Sequence, residues 1–156
     1  MKIAQRGFSL IELLLAGALF SVAAWGMAEV LMSALAANRL SEETAIAALY
    51  AEEGVEAVRS IRAQSFDALV DTESSGVAVS GDTWEFAGSE DTHGKYRRII
   101  AVSEVRRDGG GAIVESGGDV DVDTRKVTVT VLWDVTPTRQ NSVILETYLT
   151  RWQVGI

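Results

Sequence analysis

The stretch Arg6-Gly7-Phe8-Ser9-Leu10-Ile11-Glu12 opens an apolar run and decides how the first half of this chain folds. From Leu13 to Ala28 sixteen residues pass without a charge. Phe8 to Ala28 is 21 residues, which as a helix spans roughly 31 Å, one hydrocarbon core. Glu12 stands near the start of that run. A central acidic residue costs a membrane helix about 2.5 to 3.5 kcal/mol, so a carboxylate there needs a cation. A cut between Gly7 and Phe8, if made, would supply one. The new α-amine of Phe8 lies four residues from Glu12, and a neighbouring copy presents the same amine.

These residues resemble the N-terminus of type IV prepilins and of type II secretion pseudopilins. That family carries a short basic leader, then Gly-Phe, then an apolar run of the form Leu10-Ile11-Glu12-Leu13-Leu14. Here the leader is 1–7, with Lys2 and Arg6. The resemblance implies cleavage after Gly7 and N-methylation of Phe8 by a prepilin peptidase, with Glu12 acting in assembly. It implies a single-pass protein of the inner (cytoplasmic) membrane with its head outside the cytoplasm, later moved into a pilus or pseudopilus. The implied partners are other pilins through the N-terminal helix, the prepilin peptidase, an inner-membrane assembly platform, and lipid before assembly. The competing reading is a secretory signal peptide cut after Ala36, at the small-x-small site Ala34-Leu35-Ala36, releasing a secreted β-rich binding module. Glu12 interrupts the start of such a signal, and Ala34 lies beyond Glu29, far downstream for a leader.

Composition narrows the function. The 156 residues hold no cysteine, so neither a disulfide framework nor a thiolate metal site exists. The one histidine, His93, cannot build a two-histidine metal site. Formal net charge is −8; with Lys2 and Arg6 removed, 14 basic side chains become 12 against 22 acidic, a balance of −10. An acidic surface disfavours nucleic acid and anionic lipid as main partners, and solubility explains it. The glycines 109–111 lack the Lys-Ser/Thr that follows in a phosphate loop. No Ser/His/Asp or paired-carboxylate pattern stands out, so the expectation is a binding protein, not an enzyme, with no cofactor.

The helical pattern continues past the membrane. Ile46, Leu49, Tyr50, Gly54, Ala57, Val58 and Ile61 recur at three and four, opposite Glu42, Glu43, Glu52, Glu53, Glu56, Arg59 and Arg62. This predicts an amphipathic helix over 41–65, one face laid on a globular domain. The whole helix should end near Ser65-Phe66, a rod of roughly 85 Å from Phe8. The expected organisation is a leader at 1–7, a transmembrane and assembly half at 8–37, and a head at 38–156. Small residues four apart, Gly17 with Ser21 and Ala24 with Ala28, suit close helix approach. Trp25 suits an interfacial anchor or a contact with a neighbouring helix.

The second half changes period. Val127, Val129, Val131, Trp133 and Val135 alternate with Thr128, Thr130, Leu132 and Asp134. Val143 to Trp152 alternates likewise, and the two should pair as an antiparallel hairpin around a loop at 136–141. Lys95–Val105 and Trp84-Glu85-Phe86 read as further strands. The stretches 71–81 and 108–118, rich in Ser and Gly, read as loops. The expected fold class is α+β, a long helix packed on a C-terminal antiparallel sheet over 84–152, as in pilins. Asp119, Asp121 and Asp123 share a face if extended, where their oxygens would be Ca²⁺ candidates. A solubilising edge strand is the favoured reading of them. Residues 51–62 and the 133–152 region are similar to PilV-like minor pilins. Glu29 stands where many major pilins carry proline, and there is no C-terminal disulfide. Both departures favour a minor pilin or pseudopilin over a shaft subunit. The sequence does not separate pilus, secretion and DNA-uptake filaments.

Overall fold

The computed structural model describes residues 9–151. The expected processing pair Gly7 and Phe8 lies outside them, as does Trp152. The order of elements is one helix, α1 (Leu10–Gln64), a 3-10 turn at Phe66–Ala68, then seven strands. The strands are β1 (Thr72–Ser80), β2 (Thr83–Ala87), β3 (Asp91–His93), β4 (Tyr96–Arg107), β5 (Ile113–Val114), β6 (Asp119–Thr136) and β7 (Arg139–Thr150). This is the expected α+β class. The chain divides into two compact units between Glu43 and Thr44.

In the first unit the helix exposes its apolar side chains. Leu14, Phe20, Trp25 and Met32 are all exposed. Residues 10–64 form a helix long and apolar enough to cross a membrane by length and composition. Leu, Ala and Met supply the helix propensity, and no proline interrupts it.

In the second unit the antiparallel sheet runs β2-β1-β4-β6-β7, with β3 and β5 also paired to β4. Residues facing the helix line up across the strands: Ile100 with Val129 and Leu145, Val102 with Val127 and Thr147. Val127, Val129, Val131 and Trp133 are buried, as the alternation predicts. Each buried aliphatic side chain contributes about 1.5 to 3 kcal/mol. Trp133 packs on Tyr96 with ring centroids 5.9 Å apart.

The helix lays most of the expected stripe on this sheet, but two large residues at the start of that stripe face outward. Ile46 and Leu49 are exposed, at 41% and 66%. Gly54, Ala57, Val58 and Ile61 are buried as expected, and Ala47, Ala51 and Val55 join them. Small side chains let the helix backbone approach the sheet, and that closeness decided the rotation. Glu43, expected on the solvated face, is 9% exposed.

Three further expectations are corrected. The stretch read as a loop at 71–81 contains strand β1, so the sheet begins at Thr72 rather than near Trp84. A bulge between Thr72 and Ser75 hides its alternation. Gly76 is required where β1 passes the following segment, since a Cβ there would sit 2.8 Å from the Ala87 carbonyl oxygen. The β6–β7 loop is a tight turn at Pro137-Thr138, because Thr136 already pairs with Arg139. The glycine-rich stretch after β4 includes β5, with its turn held by Asp108, whose carboxylate accepts the N–H groups of Gly110 and Ala112 at 2.9 Å each.

Candidate assembly and processing site

Glu12 lies in the first turn of α1. The first backbone bond there runs from the Leu13 N–H to the Ser9 carbonyl at 3.2 Å. The first N–H groups of a helix have no partner within it, so its N-terminus carries partial positive charge. A carboxylate in that turn gains about 0.3 to 1 kcal/mol. Leu10, Ile11, Leu13, Leu14 and Leu15 surround it, all exposed. Among the described residues no hydrogen bond or ion pair reaches the Glu12 carboxylate. Its surroundings are apolar, and its charge is uncompensated by any described side chain.

Further along, Ser21 donates its hydroxyl to the Gly17 carbonyl at 2.8 Å. That back-bond satisfies the hydroxyl within its own helix. The space a Gly17 side chain would fill is open. Trp25 donates its indole N–H to the Glu29 carboxylate at 3.2 Å. Residues 17 to 29 therefore satisfy their own polar groups along one helix and leave a small-residue surface uncovered.

The head holds a polar cluster that the sequence does not announce. Arg98 occupies an inward position on β4 and is 2% exposed. It donates to Asp91 through Nε at 3.2 Å and Nη2 at 2.9 Å, a two-pronged pair. Nη1 donates to the Tyr50 carbonyl at 2.9 Å and to Glu53 at 3.3 Å. The guanidinium stacks 4.1 Å from the Tyr50 ring centroid. Asp91 also accepts the Val77 N–H at 2.9 Å and the Tyr50 hydroxyl. Burial, then that bond to Asp91, pushes the Tyr50 phenol well above its usual value. Gly54 makes the arrangement possible. A Cβ there would lie 2.8 Å from Arg98 Cδ and 3.0 Å from Val129 Cγ1. These bonds tie α1 to β1, β3 and β4, which makes the cluster a clamp.

The three aspartates at the start of β6 are separated by their partners. Asp121 accepts from Arg107 at 2.6 Å and Thr124 at 2.7 Å. The Arg107 bond first, then that of Thr124, holds its carboxyl below the usual range. Asp123 accepts from Arg151 at 3.0 Å. Among the described residues no group of three acidic, histidine or cysteine side chains is placed to hold a metal ion.

Residues 2–28 match the family described as the prokaryotic N-terminal methylation motif. The match contains Gly7, Phe8, Glu12 and the small-residue surface. It supports a type IV pilin-like precursor, a structural protein anchored in a membrane before assembly. No curated protein and no solved structure matches the chain. Of the clamp residues, the sequence places Tyr50 and Gly54 only on the helix stripe and does not single out Asp91 and Arg98. The available signal was a charged residue at an inward position of an alternating strand.

Proposed function

We propose that this chain is a minor pilin or pseudopilin, a structural subunit of a type IV pilus or a related secretion or competence filament. The observation that carries the reading is the match of residues 2–28 to the N-terminal methylation motif, on a helix whose apolar side chains are exposed. Prepilin peptidase removes 1–7 after Gly7 and methylates Phe8. The helix then holds the protein in the inner membrane with its head outside the cytoplasm. On assembly the helix leaves lipid for a bundle of pilin helices. Glu12 meets the Phe8 amine of a neighbour there, because two opposite charges in a low-dielectric layer attract strongly. The absence of cysteine and the acidic Glu29 favour a minor over a shaft role.

Gly7→Val tests the processing step. The lack of a side chain at Gly7 lets the peptidase approach the scissile backbone. The variant should accumulate as the longer precursor in membranes of cells that process the wild type. Normal maturation of Gly7→Val overturns the reading.

A further inference from the structure

We infer that the free edge of β7 is a docking site for an extended, basic segment of another protein. β7 is a strand of 12 residues paired only to β6 among the described residues. Every second residue of such a strand directs its N–H and C=O away from the sheet, a row of unpaired groups that accepts another strand. From Asn141 to Thr150 the one charged side chain is Glu146, and it is paired with Lys126 of β6. There is no proline, no lysine and no bulge, and pairing with β6 is unbroken from Thr124 to Asp134.

The surroundings choose the occupant. A groove of about 400 Å³ runs between β7 and the helix, lined by Glu52, Val55, Glu56, Arg59, Leu145, Glu146 and Thr147. Two carboxylates, Glu52 and Glu56, therefore lie beside one guanidinium, Arg59, which pairs with Glu56; the Glu146 carboxylate is held by Lys126 at 2.9 Å. Glu52 is exposed. A strand added roughly 4.8 Å beyond β7 would place alternate side chains into this groove. Lysine or arginine at those positions meets Glu52 and Glu56, while the other positions lie beside exposed Ile144 and Tyr148. A second copy paired β7 to β7 would set two rows of Glu52 and Glu56 against each other. Like charges placed so are repelled, and this favours a basic partner over self-pairing. The inference stands whether or not the chain enters a filament.

The test uses the full chain in a non-ionic detergent. The probe is a dye-labelled peptide alternating lysine and threonine, matched to β7 in length. One comparison peptide alternates glutamate and threonine. Another keeps the lysines but carries N-methyl groups on alternate backbone amides. The lysine peptide should bind saturably, with both comparison peptides weaker by at least about tenfold. The double variant Glu52→Lys/Glu56→Lys, on an exposed helix face, should lose binding by a similar factor with unchanged circular dichroism. Equal binding of the N-methylated peptide means adsorption to an acidic surface without strand pairing, and overturns the inference. Equal binding of the glutamate peptide overturns it too. So does concentration-dependent self-association that the lysine peptide cannot displace.

Discussion

Gly54→Ala and Arg98→Ala, singly and together, probe the clamp between helix and sheet. An alanine at an open helix position gains about 1 kcal/mol over glycine. At position 54 the added Cβ would meet Arg98 Cδ at 2.8 Å and Val129 Cγ1 at 3.0 Å. Overpacking of that kind costs about 1 to 3 kcal/mol. The net effect of Gly54→Ala is therefore a loss of about 0 to 2 kcal/mol. Arg98→Ala breaks a buried pair and leaves Asp91, whose side chain is 20% exposed, without its cation. Removing one partner of such a pair costs about 3 to 5 kcal/mol, and partial exposure of Asp91 places this case near 3. In the Arg98→Ala background the Cδ contact is gone, so Gly54→Ala should cost less or become stabilising. The coupling is about 1 kcal/mol, because the Val129 contact remains. Urea unfolding of a fragment from Asn38 to Ile156, followed by tryptophan fluorescence, measures all four proteins. Additive changes, or a stabilising Gly54→Ala in the wild type, would refute the close-approach argument.

Other predictions address separate parts of the molecule. The same fragment should unfold in one cooperative transition, since the helix stripe and the sheet it covers are retained; a broad, non-cooperative melt contradicts this. Trp133→Ala should cost about 3 to 5 kcal/mol in that assay, because the side chain is 2% exposed. Asp121 has a lowered carboxyl, so its contribution is full above the unfolded value of about 3.9 and fades as pH falls through the folded value. Asp121→Asn should flatten the acid limb of stability below about pH 4, and an unchanged limb removes that assignment. Glu12→Leu should be cleaved and inserted normally, yet show a lower ratio of filament-associated to membrane-associated protein. An unchanged ratio removes the pairing with the Phe8 amine.

Some of this was legible from residue order and some was not. The long helix followed from an uninterrupted apolar run without proline, and β6 and β7 followed from clean alternation in Val127–Trp133 and Val143–Leu149. β1 was hidden because a bulge and the Ser74-Ser75-Gly76 stretch break the period-two pattern. The helix face is legible at Gly54, Ala57, Val58 and Ile61, but side-chain size misplaces its first turn. Close packing puts Ala47 and Ala51 inside there and leaves Ile46 and Leu49 out. The clamp joins Tyr50 to Asp91 and Arg98, partners more than 40 residues apart in sequence. Such pairings depend on sheet register, which local patterns do not encode. The processing site is the reverse case: it is written in contiguous residues and owes little to tertiary contacts.

The most direct test of the filament-subunit account is the intact mass of the protein purified from membranes of cells that carry a prepilin peptidase, with fragmentation to assign the N-terminus. The account predicts a chain that begins at Phe8 and carries one additional methyl group on its α-nitrogen. A chain that begins at Ala37, or one that retains residues 1–7, would contradict it.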